Sequence, residues 1–288
     1  MANKALNGWR LFWLIALPTS AVMVIAMMRT DLSSAEGVSS MIQLSVRHAV
    51  PWLYLAFAAS SVQALFPGPF GVWMLRNRKI LGLGFAAAMA WQGFFIVWLV
   101  TLFRNYYVEE VYVVGDAIEG VVGYLFLVAM TLTSFRFGRR LLSPANWRRL
   151  HLVGIYFLWA YAFVVYWWAI FYYPEPAAID YIYYWAGFLA WGLRAAAWSK
   201  KQKVSGGRPQ PLFRLTGVLL VGVGLVASAT GSLWLDSVET AMTGYSLTQP
   251  LDKYLPYWPP VGFAHVLLIA TGLFLMFRAA SPAEADGA

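Results

Sequence analysis

Long apolar runs separated by short charged segments dominate the chain, at Trp9 to Met28, Pro51 to Phe66, Ile80 to Phe103, Ala117 to Phe135, His151 to Tyr173, Tyr181 to Trp198, Leu215 to Leu235 and Val261 to Phe277. Apolar residues within them are continuous rather than alternating, so the pattern predicts helices and not the strands of an outer-membrane barrel. A helix needs roughly 20 residues at about 1.5 Å rise each to cross the hydrocarbon core, and most of the runs have that length. The second and eighth are shorter, which places Arg47, His48 and Arg278 near the interfaces. The expected fold is all-α: a polytopic membrane helical bundle of eight transmembrane helices, forming a single integral membrane domain over residues 1–288. The first run reads as a retained helix rather than a cleaved signal. It is longer than the usual apolar core of about 7–15 residues, and no A-x-A-like site follows it.

Charge sets the expected orientation. Of the 21 Lys and Arg, 17 fall in the N-terminal segment and in the alternate connections that share its side, with only Arg29, Arg47, Arg104 and Lys253 opposite. Basic residues mark cytoplasmic segments, so both termini are expected in the cytoplasm and the chain in the cell inner (cytoplasmic) membrane. Of the 13 acids, only Glu284 and Asp286 fall on the basic side. The net charge of +8 and pI near 9.7 therefore reflect topology and not a nucleic-acid partner.

Composition agrees. Hydrophobic residues make up 60% of the chain and charged residues 12%, against about 25% charged in soluble domains. That excludes a globular enzyme, a disordered tail and a nucleic-acid-binding domain. With no cysteine, disulfides, thiolate metal sites and cysteine nucleophiles are excluded as well. Neither G-x-G-x-x-G nor G-x-x-x-x-G-K-[ST] occurs, so a nicotinamide, flavin or nucleotide would have to arrive on another polypeptide.

Candidate chemistry is sparse. Aromatic residues crowd the expected outer ends, among them Trp167, Trp168, Phe171, Tyr172, Tyr173, Tyr181, Tyr184, Trp185, Tyr254, Tyr257 and Trp258. They read as an interfacial belt, or as an aromatic rim for a quinone-like ligand stiffened by Pro256, Pro259 and Pro260. In the seventh run Gly224 with Ser228, and Ala227 with Gly231, have the small-xxx-small spacing of close helix packing. His151 lies at the inner end of the fifth run, and His48 and His265 near the outer ends of the second and eighth. Each reads as a hydrogen-bonded interface residue or as a haem ligand, and His48 and His265 share a depth at which they could face each other across an outer-leaflet haem. Gln92 is the most polar side chain at the centre of the third run. An interhelical hydrogen bond accounts for it, as for Gln63, while Glu119 near an outer end reads either so or as a proton-relay group.

Two segments carry a family resemblance. Arg76-Asn77-Arg78-Lys79-Ile80-Leu81-Gly82-Leu83 is a basic cluster entering a helix through Leu-Gly-Leu, and Trp147-Arg148-Arg149-Leu150-His151, with Tyr156 beyond, has the form W-x-x-L-H followed by Tyr. Together they resemble the ferric-reductase-like transmembrane domain family, which includes the haem-binding membrane subunit of the bacterial periplasmic methionine sulfoxide reductase system. The resemblance implies a six-helix core over residues 9–198, with 215–277 adding two transmembrane helices. It implies b-type haem held between histidines of two helices, with electrons passing from a cytoplasmic donor to an acceptor on the other face. His151 matches that pattern. Gln92 stands at the family's haem-histidine position on the third helix, and Val164 stands at the second histidine position of the fifth. Stacked bis-histidine haems need four imidazoles, and the chain has three.

Two functions remain open at the level of sequence. In one, the protein is an electron-transfer subunit that keeps one b-type haem through His151, or through His48 and His265, and is served by a separate cytoplasmic reductase or membrane redox partner. In the other, it holds no cofactor and serves as a binding or assembly subunit for a lipid-soluble ligand or a membrane partner. A secondary transporter is a third and more distant reading, since no internal repeat of interrupted helices is evident.

Overall fold

A computed structural model describes residues 6–204, 211–244, 254–258 and 260–277. Lys4, Arg208, Asp252, Lys253, Pro259, Arg278, Glu284 and Asp286, which enter the charge and loop readings above, lie outside these residues. Among the described residues the chain is entirely helical, with no strand. Among the described residues, nine helices form the main elements: α1 Gly8–Met27, α2 Ala35–Leu65, α3 Pro69–Leu102, α4 Val114–Thr133, α5 Pro144–Phe171, α6 Ala178–Val204, α7 Pro211–Ala229, α8 Gly231–Thr243 and α9 Ala264–Phe277. Short helical turns at Arg104–Tyr106, Tyr107–Val111, Arg136–Arg139 and Pro260–Phe263 complete them.

Among the described residues, six segments are long and apolar enough to cross a bilayer: Gly8–Met27, Pro69–Leu102, Val114–Thr133, Pro144–Phe171, Pro211–Ala229 and Pro260–Phe277. The protein is thus a multi-pass membrane protein. The other two expected spans fall in α2 and α6, neither of which is among the six. The seventh run departs from expectation. It breaks at Thr230 instead of continuing to Leu235, so that α7 ends and α8 begins one residue apart.

The helices fall into two compact units, residues 1–162 and 163–288, with the border inside α5. In the first unit, Pro67, Gly68 and Pro69 stop α2 and start α3, because proline fits the first helical turn but cannot continue one. At the start of α2, Ser34 accepts the Gly37 N–H at 3.1 Å. Two hydrogen bonds from Ser33 hold the exposed Asp31 carboxyl below its ordinary value. One core joins Leu11, Ile15, Ala56, Ile80, Leu81 and Leu83, and another joins Met23, Ala35, Val38, Met41, Phe95 and Leu99.

The basic third-helix motif begins with a clamp. Asn77 is 1% exposed. Its Oδ1 accepts the Gly8 N–H at 3.1 Å, and its Nδ2 donates to Asn7 Oδ1 and the Trp73 carbonyl, both at 3.0 Å. In α4, by contrast, Val121, Leu125, Val128 and Leu132 are exposed at helical spacing. Such an apolar stripe suits lipid contact.

In the second unit, α7 and α9 approach backbone to backbone. A Cβ on Gly217 would sit 2.5 Å from the Gly272 carbonyl oxygen, and one on Gly272 would sit 2.6 Å from that of Gly217. Gly224 also serves this contact, as the spacing suggested, with the His265 carbonyl oxygen 2.8 Å from where a Cβ would stand. Gly231 instead accommodates the Phe171 ring.

Candidate functional site

The Trp147 to His151 motif forms a latch between α4 and α5. Four residues apart on one helix, the two rings share a face, and their centroids lie 4.3 Å apart at 34°. Both reach Thr133, the last residue of α4. The Trp147 indole N–H donates to the Thr133 carbonyl at 3.0 Å, and His151 Nε2 lies 3.0 Å from Thr133 Oγ1. The threonine hydroxyl has one proton, which goes to the Ala129 carbonyl at 2.7 Å. The imidazole must therefore donate through Nε2–H. The Arg139 guanidinium lies over the Trp147 ring at 4.9 Å and donates to the Leu142 carbonyl, closing the intervening loop over the latch.

Gln92, buried at 7% exposure in α3, is met by Tyr124 of α4. The phenol lies 2.8 Å from Gln92 Oε1 and 3.2 Å from the Met89 carbonyl, and its single proton goes to the nearer oxygen. Gly93 makes room for this ring, since a Cβ there would stand 3.4 Å from Tyr124. The expectation of an interhelical hydrogen bond is met. Gln63 differs. Its Oε1 is buried without a hydrogen-bond partner among the described residues.

The other two histidines have separate surroundings. His48, half-buried in α2 of the first unit, turns Nδ1 to the Leu44 carbonyl at 2.9 Å, a bond within its own helix. His265, in α9 of the second unit, is fully buried. Five aromatic rings, Phe163, Trp167, Tyr184, Phe188 and Trp234, have centroids 5.7 to 6.5 Å from the imidazole. Tyr184 Oη donates to the Ser228 carbonyl at 2.6 Å and lies 3.4 Å from His265 Nε2. Because the phenol proton is committed to Ser228, Nε2 is the donor in the second contact and Nδ1 carries the lone pair. That Nδ1 is buried with no hydrogen-bond partner among the described residues, and so is the Trp167 Nε1–H.

The break at Thr230 borders this cluster. A helix ending inside apolar surroundings leaves carbonyls that need donors, and side chains supply them. Thr230 Oγ1 donates to Val226, Trp234 Nε1 to Ala227, and Tyr184 Oη to Ser228. The interrupted helix therefore turns these carbonyls to the protein's own hydroxyl and indole groups rather than presenting them to an ion.

The expected aromatic belt divides in two. Tyr172, Tyr173, Tyr181 and Trp185 are exposed, whereas Trp167 and Tyr184 are fully buried around His265. Sequence reasoning missed Thr133, Tyr124, Tyr184, Trp167 and Trp234 as the partners of the polar positions. Thr133 alone had a visible signal, a hydroxyl at the end of an apolar run that precedes the histidine motif by one short loop.

The resemblance implies haem, and the residues present do not make its ligand set. On α3 the position is an amide engaged by Tyr124. On α5 the imidazole is engaged by Thr133. Val164 packs where a Cβ on Gly262 would stand 2.7 Å from it. Met130 covers Gly154, one turn beyond His151. Compared with known protein families, characterised proteins and solved structures, the chain matches none.

Proposed function

We propose that this is an inner-membrane protein of the ferric-reductase-like kind, with eight membrane helices and both termini in the cytoplasm. Its haem-ligand positions serve as interhelical hydrogen-bond posts. In this reading the protein carries no haem of its own and acts beside a membrane redox system as a binding or assembly subunit, for a lipid-soluble ligand or a membrane partner. The observation that carries the reading is the Tyr124 to Gln92 hydrogen bond of 2.8 Å. It joins α3 to α4 at the position where the family places an imidazole. The His151 latch supports it in the same way, because Nε2 is spent on holding α5 to α4.

The test is a pyridine haemochrome assay on full-length protein expressed with ample haem. The expected result is haem far below one per chain. Stoichiometric haem that disappears in His151→Ala would overturn the reading.

A second reading, an electron-transfer subunit served by a separate flavoprotein or reductase, rests on His265, whose Nδ1 is buried and unpartnered among the described residues. Haem retained by the wild type and by His151→Ala but lost in His265→Ala would favour it. With either reading, purified protein alone should not oxidise NADH or NADPH, since no nucleotide-binding loop is present.

A further inference from the structure

The first unit gathers a basic surface from two segments distant in sequence, the first turns of α3 (Arg76, Arg78, Lys79), and the connection between α4 and α5 (Arg136, Arg139, Arg140) together with the beginning of α5 (Arg148, Arg149). Contacts place them together. Lys79 Nζ lies 5.1 Å from the Phe135 ring centre, Phe135 stacks on Phe137 at 5.9 Å, and Arg139 covers Trp147. Arg78 and Arg139 are both near enough for their charge to act on His151. Neither segment carries an acid of its own, for the sequence has no Asp or Glu between Glu36 and Glu109 or between Glu119 and Glu175. Arg76, Lys79, Arg136, Arg140, Arg148 and Arg149 are exposed.

Apolar residues are interleaved with the charges. Phe137 is 61% exposed and Leu141 is 81% exposed, in the same short connection as Arg136 and Arg140. Exposed apolar side chains beside guanidinium groups at the ends of membrane helices suit the boundary between headgroups and acyl chains. An acidic protein face would match the charge but would leave Phe137 and Leu141 without a hydrocarbon environment. We propose that this surface is a binding site for an anionic phospholipid, with the phosphate held by the arginines of the α4 to α5 connection and Lys79, and with Phe137 and Leu141 dipping into the acyl region. The site requires a membrane protein but is independent of whether any haem is bound.

Native mass spectrometry of the full-length protein in detergent, titrated with phosphatidylglycerol and with phosphatidylethanolamine of the same acyl chains, tests this. The wild type should retain phosphatidylglycerol preferentially. Each neutralised cation near a membrane surface should lower that preference about fivefold, and Arg136→Gln with Arg140→Gln together roughly 25-fold. Arg136→Lys with Arg140→Lys, which keeps the charges, should retain most of the preference and guards against misfolding of the glutamine variant. Lys200→Gln with Lys201→Gln, in the other unit, should leave it unchanged. Equal retention of the two lipids by the wild type would overturn the proposal, as would a preference untouched by Arg136→Gln and Arg140→Gln. So would a soluble acidic protein that binds through these arginines and competes with no lipid.

Discussion

Thr133 Oγ1 and His151 Nε2 lie 3.0 Å apart, joining the last residue of α4 to the third turn of α5. The hydroxyl gives its own proton to Ala129, so the contact needs the histidine as donor. Thr133→Val removes the acceptor, keeps the shape and strands the imidazole N–H, which should cost about 1–2 kcal/mol. His151→Ala should cost a similar amount by loosening the same latch. Thermal unfolding of the detergent-solubilised protein measures both. Strictly additive effects in the double variant would show that the two groups are not coupled.

Gln92 and Tyr124 invite the same treatment deeper in the first unit. Interhelical hydrogen bonds in membranes average about 0.6 kcal/mol, with about 1.7 kcal/mol as an upper range. A cycle of Gln92→Leu and Tyr124→Phe should give a coupling energy in that range. Gln92→His alone, which puts on α3 the imidazole that the proposed family resemblance would place there, should not load haem, because Tyr124 fills the adjacent space and His151 remains on Thr133. A Soret band appearing in this single variant would contradict that account.

Close approach of α7 and α9 makes a sharper mutational contrast. At Gly217 an added methyl meets backbone, the Gly272 carbonyl oxygen at 2.5 Å, whereas at Gly222 nothing lies within 4 Å. Gly217→Ala should destabilise by about 1–3 kcal/mol, in the range of overpacking. Gly222→Ala should be neutral or slightly stabilising, since alanine is the better helix former. Unfolding temperatures of the two variants, one turn and a half apart on the same helix, give the comparison directly.

The division of basic residues predicts sidedness. Reporter fusions after Arg140 and after Gln202 should report cytoplasm, and those after Glu110 and after Glu175 the opposite face. Cytoplasmic signal from both acidic sites would reverse the proposed orientation.

Most of the helical architecture was legible in the sequence, because continuous apolar runs leave the backbone few ways to satisfy its hydrogen bonds in lipid. The interruption at Thr230 was not. Leu215 to Leu235 reads as one run, its small stretch Ala227-Ser228-Ala229-Thr230-Gly231-Ser232 taken there for helix packing, whereas at the break Thr230, Trp234 and Tyr184 donate to the carbonyls of Val226, Ala227 and Ser228. Tyr184 comes from a different helix, so its part in ending α7 is a tertiary fact. The same holds at the candidate site. Gln92 announced that it needed a partner, but nothing local identified Tyr124. Trp167 and Tyr184 have the composition of an interfacial belt, and only packing distinguishes them from their exposed neighbours Tyr172 and Trp185.

Around His265 the arrangement predicts unequal costs for two conservative changes. Tyr184→Phe takes a donor from the Ser228 carbonyl and an acceptor from His265 Nε2. Both groups are left buried and unpaired, at a cost of about 1–3 kcal/mol each, so the variant should be strongly destabilised. Trp167→Phe also removes one polar atom from a buried aromatic ring. Its Nε1–H has no partner among the described residues, so deleting it forfeits no hydrogen bond and relieves a buried donor. The remaining penalty is the smaller ring, and the net change should be well below that of Tyr184→Phe. Unfolding of both variants in the same detergent distinguishes the cases. If Trp167→Phe proves as damaging as Tyr184→Phe, then the indole N–H does have an acceptor in the membrane, and the unpartnered Nδ1 of His265 becomes the first place to look for the molecule that supplies it.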